Sequence, residues 1–563
     1  MGLYEKAVKI IKERDKSHFS KKAALRILEV FPREKEYVLE AGLTPSGKIH
    51  LGNYGDVLVT ESVGKVLEYW GYRSKRILAI DSRDPFRRPP VFLPEDFKSM
   101  ARRYIGRPLD TLPDPFGCHK NFVQHFVEPF VSSLDSFGLK PKIVYANEIH
   151  TDGRYIELLR GVIIRRDHVR EILNMVHERA GHAKRYSKNW IPYRPLCGGC
   201  GRIDENVIPV GVSDDGYLVE YKCGVCGFEG VADIRKAEGK PPWRIDWVLR
   251  WVLFNVHFEP MGKDLMAAGS SYDSGRELIR NHFGREPPVT IFYDFFYWVE
   301  PGRTPEKFSK RHGIGLAPHE WLLYAPPEVL NYLLLKRHVG DIEKDSLRHV
   351  DFSIYDIPRY VDRFDADEQA IFQALKKGKL TSDEKKAFIA YFLALVDHNA
   401  LRRGIRRVPY TVAMEIAVWM ESEDDGMEML KRTGVLPKDA TVLEFDDARG
   451  RLRCAKNFIQ KFWSPPRIDI EAILSSLSKI ELKALITVIG EASKIDPNKL
   501  DQQTLREIVN ETSRRYEVKK RRIYEMLYMV ALGRKTGPQA FRLFRKEFSR
   551  ENRMKVLKCT GRE

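Results

Sequence analysis

Thr44-Pro-Ser-Gly-Lys-Ile-His-Leu-Gly-Asn53 follows a short apolar run, Tyr37-Val38-Leu39. It precedes a segment in which Leu51, Tyr54, Leu58, Val63, Val66, Leu67 and Trp70 recur at helical spacing. The stretch therefore reads as strand, Pro/Gly-containing turn and helix start. In an α/β fold that junction lies at the carboxyl end of a strand, where ligands bind. Exposed N–H groups of a first helical turn and the positive end of its dipole favour phosphate there. Gly47 and Gly52 lack a Cβ and let a nucleotide approach the backbone closely. His50 offers hydrogen bonds to a phosphoryl group. An ordinary βα turn with one incidental histidine is the competing reading, and the stretch alone does not decide between them.

The surrounding chain narrows the setting. Its 563 residues suffice for several domains and a large core. No run is apolar and long enough to span a bilayer, and Met1–Phe19 carries charges throughout rather than a signal-peptide core, so a cytoplasmic protein with no membrane partner is expected. The formal charge of +17, from 95 basic and 78 acidic residues, points to a polyanionic partner, nucleic acid first among them. A generic basic surface remains the plainer alternative.

Before the opening turn, Glu5–Leu28 reads as one or two basic amphipathic helices; after it, Arg76–Ile80 reads as a second buried strand ending at Asp81. Alternating strands and helices indicate a parallel α/β core. From Arg83 the text turns irregular and Pro-rich. Within it, Asp114, Cys118, His119 and His125 bring four metal-competent groups together, in a spacing suited to one tetrahedral Zn²⁺. Lys142–Ala146 is a further strand, and Gly153–Lys184 a long helical stretch with an apolar stripe. Then come Cys197-Gly-Gly-Cys200 and Cys223-Gly-Val-Cys226, a strong zinc-ribbon signal expected to fold as two short hairpins closing on one ion. Four cysteines leave no open coordination position, so its role is structural. Cys454 and Cys559 have no evident partner.

Trp243–Phe258 is rich in tryptophan; the small residues of Gly269–Gly275, with Asp273, suggest a helix cap; Val289–Tyr297 reads as a β-branched and aromatic strand. Lys307-Phe-Ser-Lys-Arg-His-Gly313 is a Gly-bounded basic loop. Beyond Glu320 the pattern is almost wholly helical: Pro327–Val339, Phe388–Leu401, Thr411–Met420, Val442–Trp463 and Ile468–Ala492, with Thr381–Glu384 as a capping box. Basic clusters gather here, at Arg402-Arg403, Arg406-Arg407, Lys519–Arg522, Arg542 and Arg545-Lys546, with Tyr516, Tyr524, Phe541 and Phe544 among them. Such a mixture suits an RNA backbone and stacked bases, and equally suits a helical bundle with a solvated face.

His50-Leu-Gly-Asn53 and Lys307-Phe-Ser-Lys-Arg311, separated by a zinc-bearing insertion, resemble the HIGH and KMSKS motifs of class I aminoacyl-tRNA synthetases. The ordered text Glu40–Asn53, PDPFGCH at 113–119, the paired Cys-x-x-Cys, FEPMGKDL at 258–265, AGSSYDSG at 268–275 and GRKTGPQAF at 533–541 is similar to the class I lysyl-tRNA synthetases in particular. That resemblance implies a Rossmann-type α/β catalytic core with a zinc-containing insertion, followed by an all-α anticodon-binding cage. Its layout would be core over residues 1–84, insertion over 85–240, second half of the core over 241–318, a stem-contact segment over 319–365 and the helical cage over 366–563.

It further implies ATP, Mg²⁺ and Zn²⁺, lysine as substrate and tRNA(Lys) as partner. His50, Lys307 and Lys310 would be catalytic. Pro45, Gly47, Gly52, Asn53 and Ser309 would join them around the nucleotide, while Gly42, Thr44, Trp247 and Tyr293 would hold the amino acid. Glu40 and Asp294 are further acids available to a lysine ammonium group. One departure stands out: where the family commonly reads Gly-Lys-Asp-His, this chain has Leu265. A glutamyl- or glutaminyl-type synthetase, a non-catalytic tRNA-binding derivative and a small-molecule nucleotidyltransferase remain alternative readings.

Overall fold

A computed structural model describes residues 2–183, 185–300, 302–337, 349–378, 380–462, 468–535, 537 and 539–558. Lys184, His338, Val339, Trp463, Thr536, Pro538 and Cys559, which fall in stretches read above, lie outside the described residues. The chain divides into two compact units, Met1–Ile405 and Arg406–Glu563.

The first unit is built on a parallel sheet. Strand β1 (Glu36–Leu43) leads through the Thr44–His50 turn into helix α1 (Leu51–Tyr69), and β2 (Arg73–Ile80) returns beside β1. Then β3 (Lys142–Tyr145) pairs with β2. After the insertion, helix α2 (Trp243–Phe254) leads into β4 (Val256–Phe258), which closes on the other side of β1. The order β3-β2-β1-β4 places every carboxyl end on one side. Leu39, Ala41 and Leu43 of β1 and Leu51, Leu58, Val63 and Leu67 of α1 are all buried, so the apolar stripe of α1 seals one face of the sheet.

The expected strand over Val289–Tyr297 is broken. Its first part extends the sheet beside β4, with Glu259 N–H donating to Val289 O at 3.0 Å and Met261 N–H to Ile291 O at 2.9 Å. Only Phe292–Tyr293 and Phe296–Trp298 are regular. Between them Asp294 takes the Phe295 N–H on its own carboxylate at 2.6 Å, a local bond that competes with the ladder. The stretch read as one helix over 153–184 is two, Gly153–Ile164 and Arg166–Arg179, because Arg165 leaves the helical basin at ψ 26°. The helix expected over 388–401 stops at Ala394, whose carbonyl accepts from Asn331 Nδ2 at 2.9 Å, and a new one starts at Asn399. Its capping box forms as read: Glu384 N–H donates to Thr381 Oγ1 at 3.2 Å and Thr381 N–H to Glu384 Oε2 at 2.8 Å. The residue 365/366 junction falls inside the helix Ile357–Lys377. Among the described residues the regular elements of the second unit are all helices, and its long helix Val442–Phe462 packs against Tyr410–Trp419.

His18 caps the helix Phe19–Val30 from a fully buried position. Its Nδ1 accepts from Ser20 N–H at 3.3 Å, so Nε2 carries the proton toward Leu335 O, 3.3 Å away. Burial pulls its pKa down to about 3. A histidine depressed from about 6.5 binds its proton only on unfolding in this range, so its contribution falls as pH drops below about 6.5. Between pH 7 and pH 5 the stability gap between wild type and His18→Gln is expected to narrow by about 2 kcal/mol. Denaturant melts of both proteins at the two pH values measure this, and parallel melts would contradict it.

Candidate active site

The carboxyl ends of the central strands open into a cavity of about 380 Å³. Of the residues singled out in the sequence, Gly42, Thr44, His50, Gly52, Asn53, Trp247, Tyr293, Lys307 and Lys310 line it together. Pro45, Gly47 and Ser309 do not. Pro45 is buried in the turn. Gly47 instead packs against the basic loop: a Cβ built on it would lie 2.6 Å from the Lys310 carbonyl oxygen. Ser309 turns its hydroxyl to His312 Nδ1 at 3.0 Å, and its backbone exchanges hydrogen bonds with Ile314 at 2.9 and 3.1 Å, closing the loop on itself.

The first turn of α1 differs from the simple anion cradle expected of a helix start. Leu51 N–H donates to Leu316 O at 2.9 Å, Gly52 N–H to His50 Nδ1 at 3.2 Å, and Asn53 N–H to His50 O at 2.9 Å. The backbone donors are consumed, leaving the helix dipole and the side chains to meet an anion. Because Nδ1 of His50 is an acceptor, the neutral ring carries its proton on Nε2. Burial, and then Lys310 and the other nearby lysines, pull the His50 pKa down to about 3. It is therefore a neutral hydrogen-bond donor at physiological pH. Its ring packs edge-on against Phe308, 5.4 Å between centroids.

The basic loop reaches the turn directly. Lys310 Nζ donates to Thr44 O at 2.8 Å, and burial lowers its pKa. Lys307 is exposed at the mouth of the cavity, its ammonium over the Phe295 ring. Thr44 Oγ1 contacts Asp81 Oδ2 at 3.3 Å.

Beneath the cavity lies a charge cluster that sequence reading reached only in part. Glu40 is fully buried, does not line the cavity, and lies 3.2 Å from Arg250 Nε. Arg250 also pairs with Asp81. Asp294 does line the cavity, bound to Lys263 at 2.5 Å. Four further acids line the cavity that the sequence reading did not place there, Asp56, Asp81, Glu259 and Asp264, and of these Asp56 and Glu259 are both pushed up to about 8 chiefly by burial. Glu259 had a signal: it follows the last residue of a buried strand, at the ligand-binding end of the sheet. Asp56 had none, since it reads as an ordinary polar position within α1.

Both predicted metal clusters assemble. Sγ atoms of Cys197 and Cys226 lie 3.5 Å apart and those of Cys200 and Cys223 3.7 Å apart. The second knuckle sits in the turn between the antiparallel strands Leu218–Cys223 and Glu229–Asp233, but the first lies on a loop ahead of Val207–Val212 rather than on a hairpin of its own. Cys118 Sγ lies 3.1 Å from His119 Nδ1 and 3.3 Å from His125 Nδ1, and Asp114 Oδ1 lies 3.1 Å from His125 Nδ1. In each cluster one ligand atom per residue falls within 4.8 Å of the others. Asp114 also organises its own loop by accepting from the backbone N–H groups of Phe116, Cys118 and His119.

The basic clusters of the helical region divide by environment. In the second unit, Arg406 pairs with Glu444 and Asp439, Arg407 with Asp447, Arg522 with Glu481, Arg542 with Asp425 and Arg545 with Glu421. Phe541 and Phe544 are core residues. Lys519, Lys520 and Arg521 remain exposed, with Tyr516 and Tyr524 half-buried on the flanking helices. Among the described residues no helix is long and apolar enough to cross a membrane.

A profile of the family described as tRNA synthetases class I (K) matches residues 17–391. The lysine–tRNA ligase of Methanocaldococcus jannaschii is 29% identical over 530 residues, covering 93% of this chain and 96% of that protein. That of Pyrococcus horikoshii is 28% identical over 526 residues, with coverage of 93% and 96%. Among solved structures, glutamate-tRNA synthetase from Elizabethkingia anophelis aligns over 93% of this chain and 100% of its own at 12% identity, with a TM-score of 0.40. The profile spans the parallel sheet, the turn that carries His50 and the loop that carries Lys310, and the chain belongs to the class I (K) family of tRNA synthetases.

Proposed function

We propose that the chain activates lysine with ATP and Mg²⁺ and transfers the lysyl group to the terminal ribose of tRNA(Lys). The observation that carries this reading is the meeting of the Thr44–Asn53 turn with Lys310 at one cavity, through the 2.8 Å contact from Lys310 Nζ to Thr44 O. The lysine carboxylate attacks the ATP α-phosphorus and pyrophosphate leaves. Such a step needs positioning and charge neutralisation more than covalent help. His50 donates from Nε2 to the transferring phosphoryl group, and the dipole of α1 adds positive potential behind it. Lys307 and Lys310 neutralise the departing β,γ-phosphates. Gly52 and Asn53 border the nucleotide, with Pro45, Gly47 and Ser309 shaping the turn and loop around it. Gly42, Thr44, Trp247 and Tyr293 bound the amino acid.

Cys197, Cys200, Cys223 and Cys226 suit Zn²⁺ by donor type and number and would hold it as a structural ion, tying the two knuckles together. Asp114, Cys118, His119 and His125 suit a second. The helical residues after 366, with the exposed Lys519–Arg521, would contact the tRNA backbone near its anticodon, and residues 319–365 its stem.

ATP–pyrophosphate exchange with a panel of amino acids, run with and without total tRNA, tests the reading. Lysine-dependent exchange is expected. Exchange that depends on glutamate instead would make the protein a glutamyl-type enzyme, and none with any amino acid would leave a tRNA-binding derivative without catalysis.

A further inference from the structure

The Pro-rich segment after β2 spends most of its apolar side chains on packing: Phe86, Leu93 and Phe97 are all buried. Val91 and Phe92 are not, at 48 and 36% exposure. Apolar side chains left at the surface add little to a core, so what they touch is informative. Both sit on the basic loop. The Val91 N–H donates to Arg311 O at 3.0 Å. The Phe92 ring lies against Gly313, where a Cβ would stand 3.0 Å from Phe92 Cδ1. Pro90 reaches the other motif: its Cγ would lie 3.4 Å from a Cβ at Gly47. Three consecutive residues thus touch both the turn that carries His50 and the loop that carries Lys310.

The loop needs such a contact. The strand before it is only two residues long, Glu306–Lys307, and short two-stranded ribbons are marginal by themselves. Phe308 roots it, with a buried ring and an N–H that donates to Phe296 O at 2.9 Å. Past that root the chain turns back through the Ser309–Ile314 bridge, with Gly313 at φ 67° and Gly315 at φ 124°. Residues 90–92 meet this returning part from outside.

The segment that makes the contact is itself fixed. Leu93 N–H donates to Pro90 O at 3.4 Å, closing a turn over Pro90–Leu93, and the buried Leu93 anchors its end. The Phe92 ring meets Phe126 edge-on, with centroids 6.1 Å apart and an interplanar angle of 85°. Phe126 is packed in turn against Phe122, 4.9 Å away within the helix Phe122–Leu134. The inserted region therefore offers a rigid support from which to hold the loop.

We infer that Pro90–Phe92 is a clip that seats the basic loop against the His50 turn, and that Phe92 is a positioning residue for Lys310. The inference rests on the reading above, in which Lys310 neutralises the departing phosphates. The clip touches loop backbone and Gly313 rather than the cavity, so it acts on the fraction of molecules in which Lys310 is in place.

Two variants test it. Phe92→Ala removes the ring. Val91→Pro removes the N–H donor at the second position of its turn, where proline is accommodated. In lysine-dependent ATP–pyrophosphate exchange with total tRNA present, each is expected to be about fivefold slower at saturating substrates, with the KM for lysine unchanged. Phe92→Tyr, which keeps the ring, should restore the rate. Combined with Lys310→Ala, Phe92→Ala should cost less than about twofold more, because the residue it positions is gone. A general structural defect would raise the lysine KM or add its full effect to Lys310→Ala. Tryptic cleavage of the native protein after Lys310 and Arg311 gives a readout independent of activity. The loop must leave its seat to enter the protease, so cleavage should be several times faster in Phe92→Ala and Val91→Pro. Wild-type exchange or wild-type cleavage rates in both variants would overturn the clip and leave the synthetase reading intact. Absence of lysine-dependent exchange in the wild type would overturn that reading, and the role of the clip with it.

Discussion

Lys310→Ala is expected to slow adenylate formation about a hundredfold in single-turnover experiments, while lysine affinity changes little. One charged contact to a transferring phosphate is worth roughly 3 kcal/mol of barrier. The ammonium group is already close to the reaction: in the free enzyme it donates to Thr44 O at 2.8 Å, an acceptor it would exchange for phosphate oxygens when ATP binds. Its backbone is fixed too, because Gly47 lets the turn close on the Lys310 carbonyl. Position is therefore set by the main chain, and truncation removes charge without displacing the loop. A lysine-rich loop acting only as a solvated surface would give the variant wild-type single-turnover rates. Lys307→Ala should have a smaller effect, since Lys307 is exposed and rests on the Phe295 ring.

The second large effect is predicted for the tetrathiolate. Metal analysis should find two zinc equivalents per chain, and Cys200→Ser should lose one of them. Binding of structural zinc supplies on the order of 10 kcal/mol of folding free energy in small modules. Here the effect should be local. The inner face of the three-stranded sheet, through Val219, Tyr221 and Ala232, belongs to the main core, whereas Ile208, Val210 and Val231 face solvent at 52, 62 and 56% exposure. The sheet is thus held from one side, and its knuckle meets Cys197–Cys200 through the Gly198 N–H to Tyr221 hydroxyl bond at 2.9 Å and the four thiolates that would share the metal. Limited proteolysis of Cys200→Ser should cut first near 197–201 and 223–227, with the parallel core intact. Equal zinc content and equal protease resistance in variant and wild type would rule out a metal role for this cluster.

Much of the active site was readable because it is local. The strand–turn–helix around His50 and the Lys307–Arg311 loop each have their own turn chemistry, and the paired Cys-x-x-Cys have a spacing that only a common ion explains well. Element breaks were less readable. Arg165, Asp294 and Ala394 interrupt apolar patterns that run through them, and two of the three interruptions come from single side-chain bonds to the backbone. The basic clusters stayed open between two readings for a similar reason. Sequence shows Arg406, Arg407, Arg542 and Arg545 as charge, but their carboxylate partners are distant in the chain.

The sequence by itself determined the α/β class, the order of the motifs and the metal-competent residues, since hydrophobic period, turn residues and ligand spacing are properties of neighbouring positions. Tertiary structure alone decided which donors and acids remain available. The first turn of α1 uses its N–H groups on Leu316 and on His50 itself, so the anion must be met by the His50 ring and the lysines. Likewise Glu40 is taken by Arg250, while Glu259 is left with neutral partners. Whether a buried group is satisfied depends on partners brought from remote parts of the chain, and no local pattern encodes that.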